Sequence, residues 1–133
     1  FTVEEARALV PRLRGLLTAM QAEKQQIDRE ALALQRLTPL VQQNGHAVEA
    51  LHHERRLAEL VRALRQKLRV INELGVEVKD LDLGLVDFLS LAGQVQIYLC
   101  WRVGEDAIRY WHGLAEGYAG RKPLSALPGR RRH

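Results

Sequence analysis

The residue types best suited to chemistry crowd into one stretch of this chain. Tyr98-Leu99-Cys100-Trp101-Arg102-Val103-Gly104-Glu105 is followed by Tyr110-Trp111-His112 and then by Gly117-Tyr118-Ala119-Gly120-Arg121. Both tryptophans and the one cysteine of the 133 residues lie in it. If 95–102 and 107–112 are paired strands, side-chain alternation places Cys100 and Arg102 on one face and Trp101 on the other, with Tyr110 and His112 sharing a face. Read as a ligand or partner surface, this is a pocket around Trp101, Arg102, Glu105 and His112. The Trp rings wall it, Arg102 or Arg121 holds an anion, and Cys100 or His112 serves as acid, base or ligand. Read as packing, the rings of Trp101 and Trp111 are the core of a small module, Arg102 pairs with Glu105 or Asp87, and His112 caps a strand end. One thiol and one imidazole with no third group to orient them make a poor nucleophilic constellation. No residue is therefore assigned as catalytic, no cofactor is expected, and a non-enzymatic role is favoured.

Two further groups carry charge or ligand chemistry. Arg55, Arg62 and Arg69 are seven apart and form a basic stripe along one helix face, which could track a phosphate backbone. The same region carries Glu23, Asp28, Glu30, Glu54 and Glu59 and no interleaved aromatics for stacking on bases, so solvated ion pairs are the stronger expectation. His46, His52 and His53 cluster too, yet no pair has the i, i+4 spacing of a helical metal site, and no metal site is assigned. A single cysteine allows no intrachain disulfide and no multi-thiol zinc cage.

The elements that must position these residues fall into two blocks. Thr2 with Glu5 matches a capping box, so a helix starts there. Leu9, Leu13, Leu16, Met20, Ile27, Ala31 and Leu34 then recur at helical steps. Pro11 lacks an N–H and clashes with the carbonyl of Arg7, which predicts a kink or a short separate first helix. Thr38-Pro39 and Gln42-Gln43-Asn44-Gly45 predict a reversal. Leu57, Val61, Leu64, Leu68 and Ile71 continue a heptad-like second helix, which Gly75 ends. From Val76 the pattern turns to short β-prone runs: 76–78, 84–90, 95–102 and 107–111, with a helix over 105–114 as the competitor to the last. Ala92-Gly93-Gln94 and Val103-Gly104-Glu105-Asp106 suit hairpin turns, so the last three runs form a meander. The expected fold is α+β and mainly α: a helical hairpin over 1–75, a β-rich module over 76–124, and a disordered basic tail over 125–133, all one domain.

The formal charge of +4 is uneven, with five of the twenty Lys and Arg residues at Arg121, Lys122, Arg130, Arg131 and Arg132. The body without that tail is near neutral, which weakens a nucleic-acid role. No basic, apolar leader opens the sequence and no run nears the about 20 apolar residues that span a bilayer, so a cytoplasmic protein with no membrane contact is expected.

A meander of about 50 residues covers only part of a hairpin whose arms, at about 1.5 Å per residue, reach about 45 Å. Two helices alone cannot hide both apolar stripes. The expected partner is a second copy, forming an antiparallel four-helix bundle, with the aromatic and arginine surface left for an unknown protein partner.

Several segments together resemble a bacterial and archaeal family of small proteins, domain of unknown function 2203. They are Phe1-Thr2-Val3-Glu4-Glu5-Ala6 with Pro11, Gly75-Val76-Glu77-Val78-Lys79-Asp80, Gly84-Leu85-Val86-Asp87-Phe88, Tyr98 through Glu105, Tyr110-Trp111-His112 and Gly117 through Leu124. The resemblance covers Phe1 to Leu124, and the family pattern has proline where Leu89 and Asp106 stand here. It implies no activity, cofactor or catalytic residue, only that the Trp-Arg-Gly-Glu and Trp-His segments are the common signature.

Overall fold

The computed structural model describes residues 1–40 and 45–128. Helix α1 runs Val3–Leu37. The Thr2 hydroxyl accepts the Glu5 N–H at 3.1 Å and the Glu5 carboxylate accepts the Thr2 N–H at 2.9 Å, the reciprocal cap expected from the sequence. Pro11 does not split the helix, contrary to the expectation of a separate first segment. It lies on an exposed position near the start, and the guanidinium of Arg7 reaches the carbonyl of Ile108 at 3.3 Å, so this first stretch is fixed by packing as well as by its own ladder. A 3-10 turn, Thr38–Leu40, follows. The predicted turn residues Gln42, Gln43 and Asn44 lie outside the described residues; Gly45, with φ +81°, leads into α2, His46–Glu73. Gly75 follows α2 at φ +83°, in the left-handed region that glycine enters without a steric penalty.

The chain then forms one antiparallel five-stranded sheet in sequence order: β1 Val76–Asp80, β2 Leu85–Ala92, β3 Val95–Arg102, β4 Tyr110–Gly113 and β5 Lys122–Pro123. The fold is thus α+β and mainly helical. Ala92 pairs with Val95 across the predicted turn, where Gly93 takes φ +65°. The run predicted as a strand from Ala107 starts only at Tyr110, and no helix forms over 105–114. A turn does form at Val103-Gly104, with the Glu105 N–H donating to the Arg102 carbonyl at 3.1 Å, but it closes no hairpin: Asp106 accepts two hydrogen bonds from Arg109, at 3.0 and 2.8 Å, and Ile108 gives its carbonyl to Arg7, so the connection runs on irregularly to Tyr110. Of the tail assigned to 125–133, Ser125 and Ala126 complete a 3-10 turn, Leu124–Ala126, while Arg130, Arg131 and Arg132 lie outside the described residues.

The chain divides into two compact units, 1–18 with 70–133 and 19–69. In the first, one face of the sheet supplies Val86, Phe88, Leu99 and Trp101, and α1 supplies Ala6, Val10, Leu13 and Leu17, all buried. Phe1 closes this core with its ring edge-on to Phe88 at 5.4 Å, its carbonyl accepting the Ser90 hydroxyl. In the second, the two helices run antiparallel. Glu23 accepts from Lys67 at 2.8 Å, Gln26 from Arg56 at 3.1 Å, and Glu30 meets His53. Its described apolar residues are sparsely buried: Met20, Leu37, Ala50 and Leu60.

Candidate functional site

Sheet register brings the reactive side chains together. Asp87 on β2 lies opposite Cys100 on β3, which lies opposite Tyr110 on β4, and Tyr98 lies opposite His112. Alternation sends all five to the face opposite the Val86, Phe88, Leu99 and Trp101 core. His112 Nε2 sits 2.9 Å from Asp87 Oδ2, and His112 Nδ1 sits 2.8 Å from the carbonyl oxygen of Gly113. Cys100 completes the group: one ligand atom from each of Asp87, Cys100 and His112 lies within 4.8 Å of the others. Cys100 is fully buried and Asp87 and His112 are each 2 % exposed. The second carboxylate oxygen, Asp87 Oδ1, is buried without a hydrogen-bond partner among the described residues.

Burial pushes the Cys100 thiol up to about 12, the Asp87 carboxylate adds to the effect, and Arg121 offsets part of it. A thiol that is both inaccessible and protonated is not a nucleophile.

A second ring of side chains surrounds this cluster. The Arg121 guanidinium lies 4.2 Å from the ring centroids of both Tyr110 and Tyr118, and its Nη1 donates to both carboxylate oxygens of Glu105 at 2.9 and 3.0 Å. Burial opposes its charge, and the Glu105 bonds outweigh that and raise its pKa. Arg102 donates to the Tyr118 hydroxyl at 2.9 Å. On the other side the Tyr98 ring lies 5.5 Å from His112, with Lys79 Nζ 5.2 Å from the Tyr98 centroid. Hydrogen bonding to Glu77 raises the Tyr98 pKa.

Of the predicted surface, Cys100, Arg102, Glu105, Tyr110, His112 and Arg121 therefore assemble. The tryptophans do not join them. Trp101 is fully buried on the opposite face, donating from Nε1 to the Glu105 carbonyl at 3.1 Å, and Trp111 donates to the Pro123 carbonyl at 3.1 Å. They are core, so they wall no pocket over Cys100. The expected Arg102–Glu105 ion pair is replaced by Arg121–Glu105; Arg102 reaches Glu105 through its backbone, its N–H donating to the carboxylate at 2.8 Å and its carbonyl accepting the Glu105 N–H at 3.1 Å. His112 caps no strand end but is buried against Asp87. Asp87 supplies the third group, orienting His112 through Nε2. Its signal was a carboxylate between Val86 and Phe88 in an otherwise apolar strand, where a charge needs a partner.

Elsewhere, Arg55, Arg62 and Arg69 are exposed on α2 and enter no ion pair among the described residues. His46 meets Glu49 at 3.4 Å and His53 meets Glu30, so two of the three histidines are spent on carboxylates, while the His52 ring stands edge-on to His53 at 5.6 Å. No helix among the described residues is long and apolar enough to cross a membrane.

Neither a curated protein nor a solved structure matches the chain. A family model does, over residues 1–124, and its description is "Uncharacterized conserved protein (DUF2203)". The strand-borne Asp87, the Cys100 segment and the Tyr110-Trp111-His112 segment all fall within that match, and the chain belongs to the DUF2203 family.

Proposed function

We propose that this chain is a non-enzymatic assembly module of the cytoplasm, in which the hairpin of residues 19–69 packs against the same hairpin of a second copy as a four-helix bundle. The observation that carries the reading is that Leu57, Val61, Leu64 and Leu68, the heptad face of α2, are each only half-buried within one chain. Apolar surface left in water forgoes about 25 cal/mol per Å².

The charges around that face favour a second copy as the occupant. An open groove there is lined by Glu54, Leu57, Ala58, Val61, Arg65 and Arg69, with Arg62 and Gln66 between them. Run antiparallel against itself about a two-fold axis between Val61 and Arg62, this surface sets Glu54 of each copy against Arg69 of the other, with Val61 near the centre. Such self-complementarity is what an isologous interface requires. The lone free thiol fits a reducing compartment.

Size-exclusion chromatography with light scattering at micromolar concentration tests the reading. A particle of twice the 15.1 kDa chain mass is expected, and Val61→Glu returns it to a monomer. A strictly monomeric wild-type particle overturns it.

A further inference from the structure

We propose that Asp87, Cys100 and His112 form a binding site for a divalent late first-row transition metal of the zinc class. Three neighbouring strands deliver one carboxylate, one thiol and one imidazole to a single spot, with ligand atoms within 4.8 Å of one another. A tetrahedral ion with bonds of about 2.0–2.3 Å holds its ligand atoms about 3.3–3.8 Å apart. The donors therefore adjust by at most about 1–1.5 Å, within the reach of side-chain rotation.

A second observation points the same way: Asp87 Oδ1 is buried and has no hydrogen-bond partner among the described residues, although a buried carboxylate oxygen left unpaired is costly. A cation at the cluster satisfies it. The imidazole is also set as metal-binding imidazoles are, since Nδ1 faces the Gly113 carbonyl at 2.8 Å. Donating there fixes the tautomer that presents Nε2 to the metal.

The chemistry of the donor set selects the ion. A thiolate disfavours magnesium and calcium, which take oxygen ligands, whereas mixed sulfur, nitrogen and oxygen donors suit zinc, cobalt and their neighbours. Charge balances as well: a dication with one thiolate, one carboxylate and a neutral imidazole is neutral overall. The adjoining Arg121–Glu105 pair is neutral too. Binding displaces the thiol proton and the proton shared between His112 and Asp87, so both leave to solvent as the metal enters. With three buried protein donors the remaining position is small and sheltered, which suits a structural ion clipping β2, β3 and β4 together.

The test is cobalt(II) titration of the full chain after chelator treatment, with the metal added both to folded protein and during refolding. Because the chain has one cysteine, a thiolate-to-cobalt absorption band in the near ultraviolet reports Cys100 alone. The expected result is such a band saturating at one equivalent and displaced by zinc. Asp87→Asn and His112→Gln should each weaken binding at least about tenfold, and Cys100→Ser should abolish the band. No band under either protocol overturns the proposal. Cobalt binding without the band, as at His46, His52 and His53, overturns it equally, as does a band whose affinity both Asp87→Asn and His112→Gln leave unchanged. If Cys100→Ser does not fold, the wild-type band and those two variants decide. Repeating the titration on Val61→Glu separates this site from the assembly reading.

Discussion

Asp87 and His112 share a hydrogen bond at a nearly dry position, and the penalty for breaking it falls on whichever partner remains. Truncating either one to alanine strands a buried polar or charged group and is expected to cost about 3–5 kcal/mol, whereas the double replacement Asp87→Leu with His112→Phe should cost far less than the sum of the two singles. Urea unfolding of the four proteins, in the presence of chelator, measures this coupling. At Cys100, burial and the raised thiol pKa together predict that a thiol reagent at neutral pH labels the native chain at least about a hundredfold more slowly than the denatured chain. Labelling followed by mass spectrometry reads the ratio. Sequence located the thiol and the imidazole because cysteine and histidine are few, and Arg102 and Arg121 because they fall in the same aromatic-rich stretch. It missed Asp87, since the contact spans β2 and β4 and depends on a register that no local pattern encodes.

Among the elements, the segment between β4 and β5 is held by Glu116. Its carboxylate accepts Lys122 Nζ at 2.8 and 2.9 Å and the Gly113 N–H at 3.0 Å. The Lys122 bond first, then the Gly113 bond, keep its pKa below the usual carboxylate value of 4.5. A lowered folded-state pKa means that these bonds contribute fully above the ordinary carboxylate range and are lost as pH falls through the lowered value. The Gly113 amide signal should therefore shift at acidic pH in wild type but not in Glu116→Gln, which NMR titration can follow. Two glycines make room for this carboxylate: a Cβ at Gly113 would lie 2.9 Å from one of its oxygens, and a Cβ at Gly120 2.8 Å from the other. Helix starts and stops were legible because capping boxes and positive-φ glycines are local signals. The unbroken course of α1 through Pro11 was not, since tertiary anchoring by Arg7 overrides local propensity. The late start of β4 escaped for a similar reason, with Ile108 turned to the core and its carbonyl taken by Arg7.

At the scale of the whole molecule, the prediction concerns pairing of α2 with its own copy. If Glu54 meets Arg69 across a two-fold axis, reversing one charge alone, as in Glu54→Arg, sets like charges together and should weaken association about tenfold. The double variant Glu54→Arg with Arg69→Glu restores it. Sedimentation equilibrium of the three proteins checks the pattern, and equal weakening by single and double variants would argue against that register. The heptad spacing of α2 was legible, whereas the split of the chain into a richly buried and a sparsely buried unit was not, because it depends on which apolar residues the sheet claims.

That uneven burial has a further consequence. With so few of the described side chains between Ala19 and Arg69 out of water, the helices there are expected to open first, exchanging amide hydrogen for deuterium at a lower free energy than the strands. If this segment pairs with a second copy as proposed, it gains protection by mass action. Its exchange rates then become a gauge of how much of the protein is around it, slowing as the concentration rises while those of the sheet stay constant.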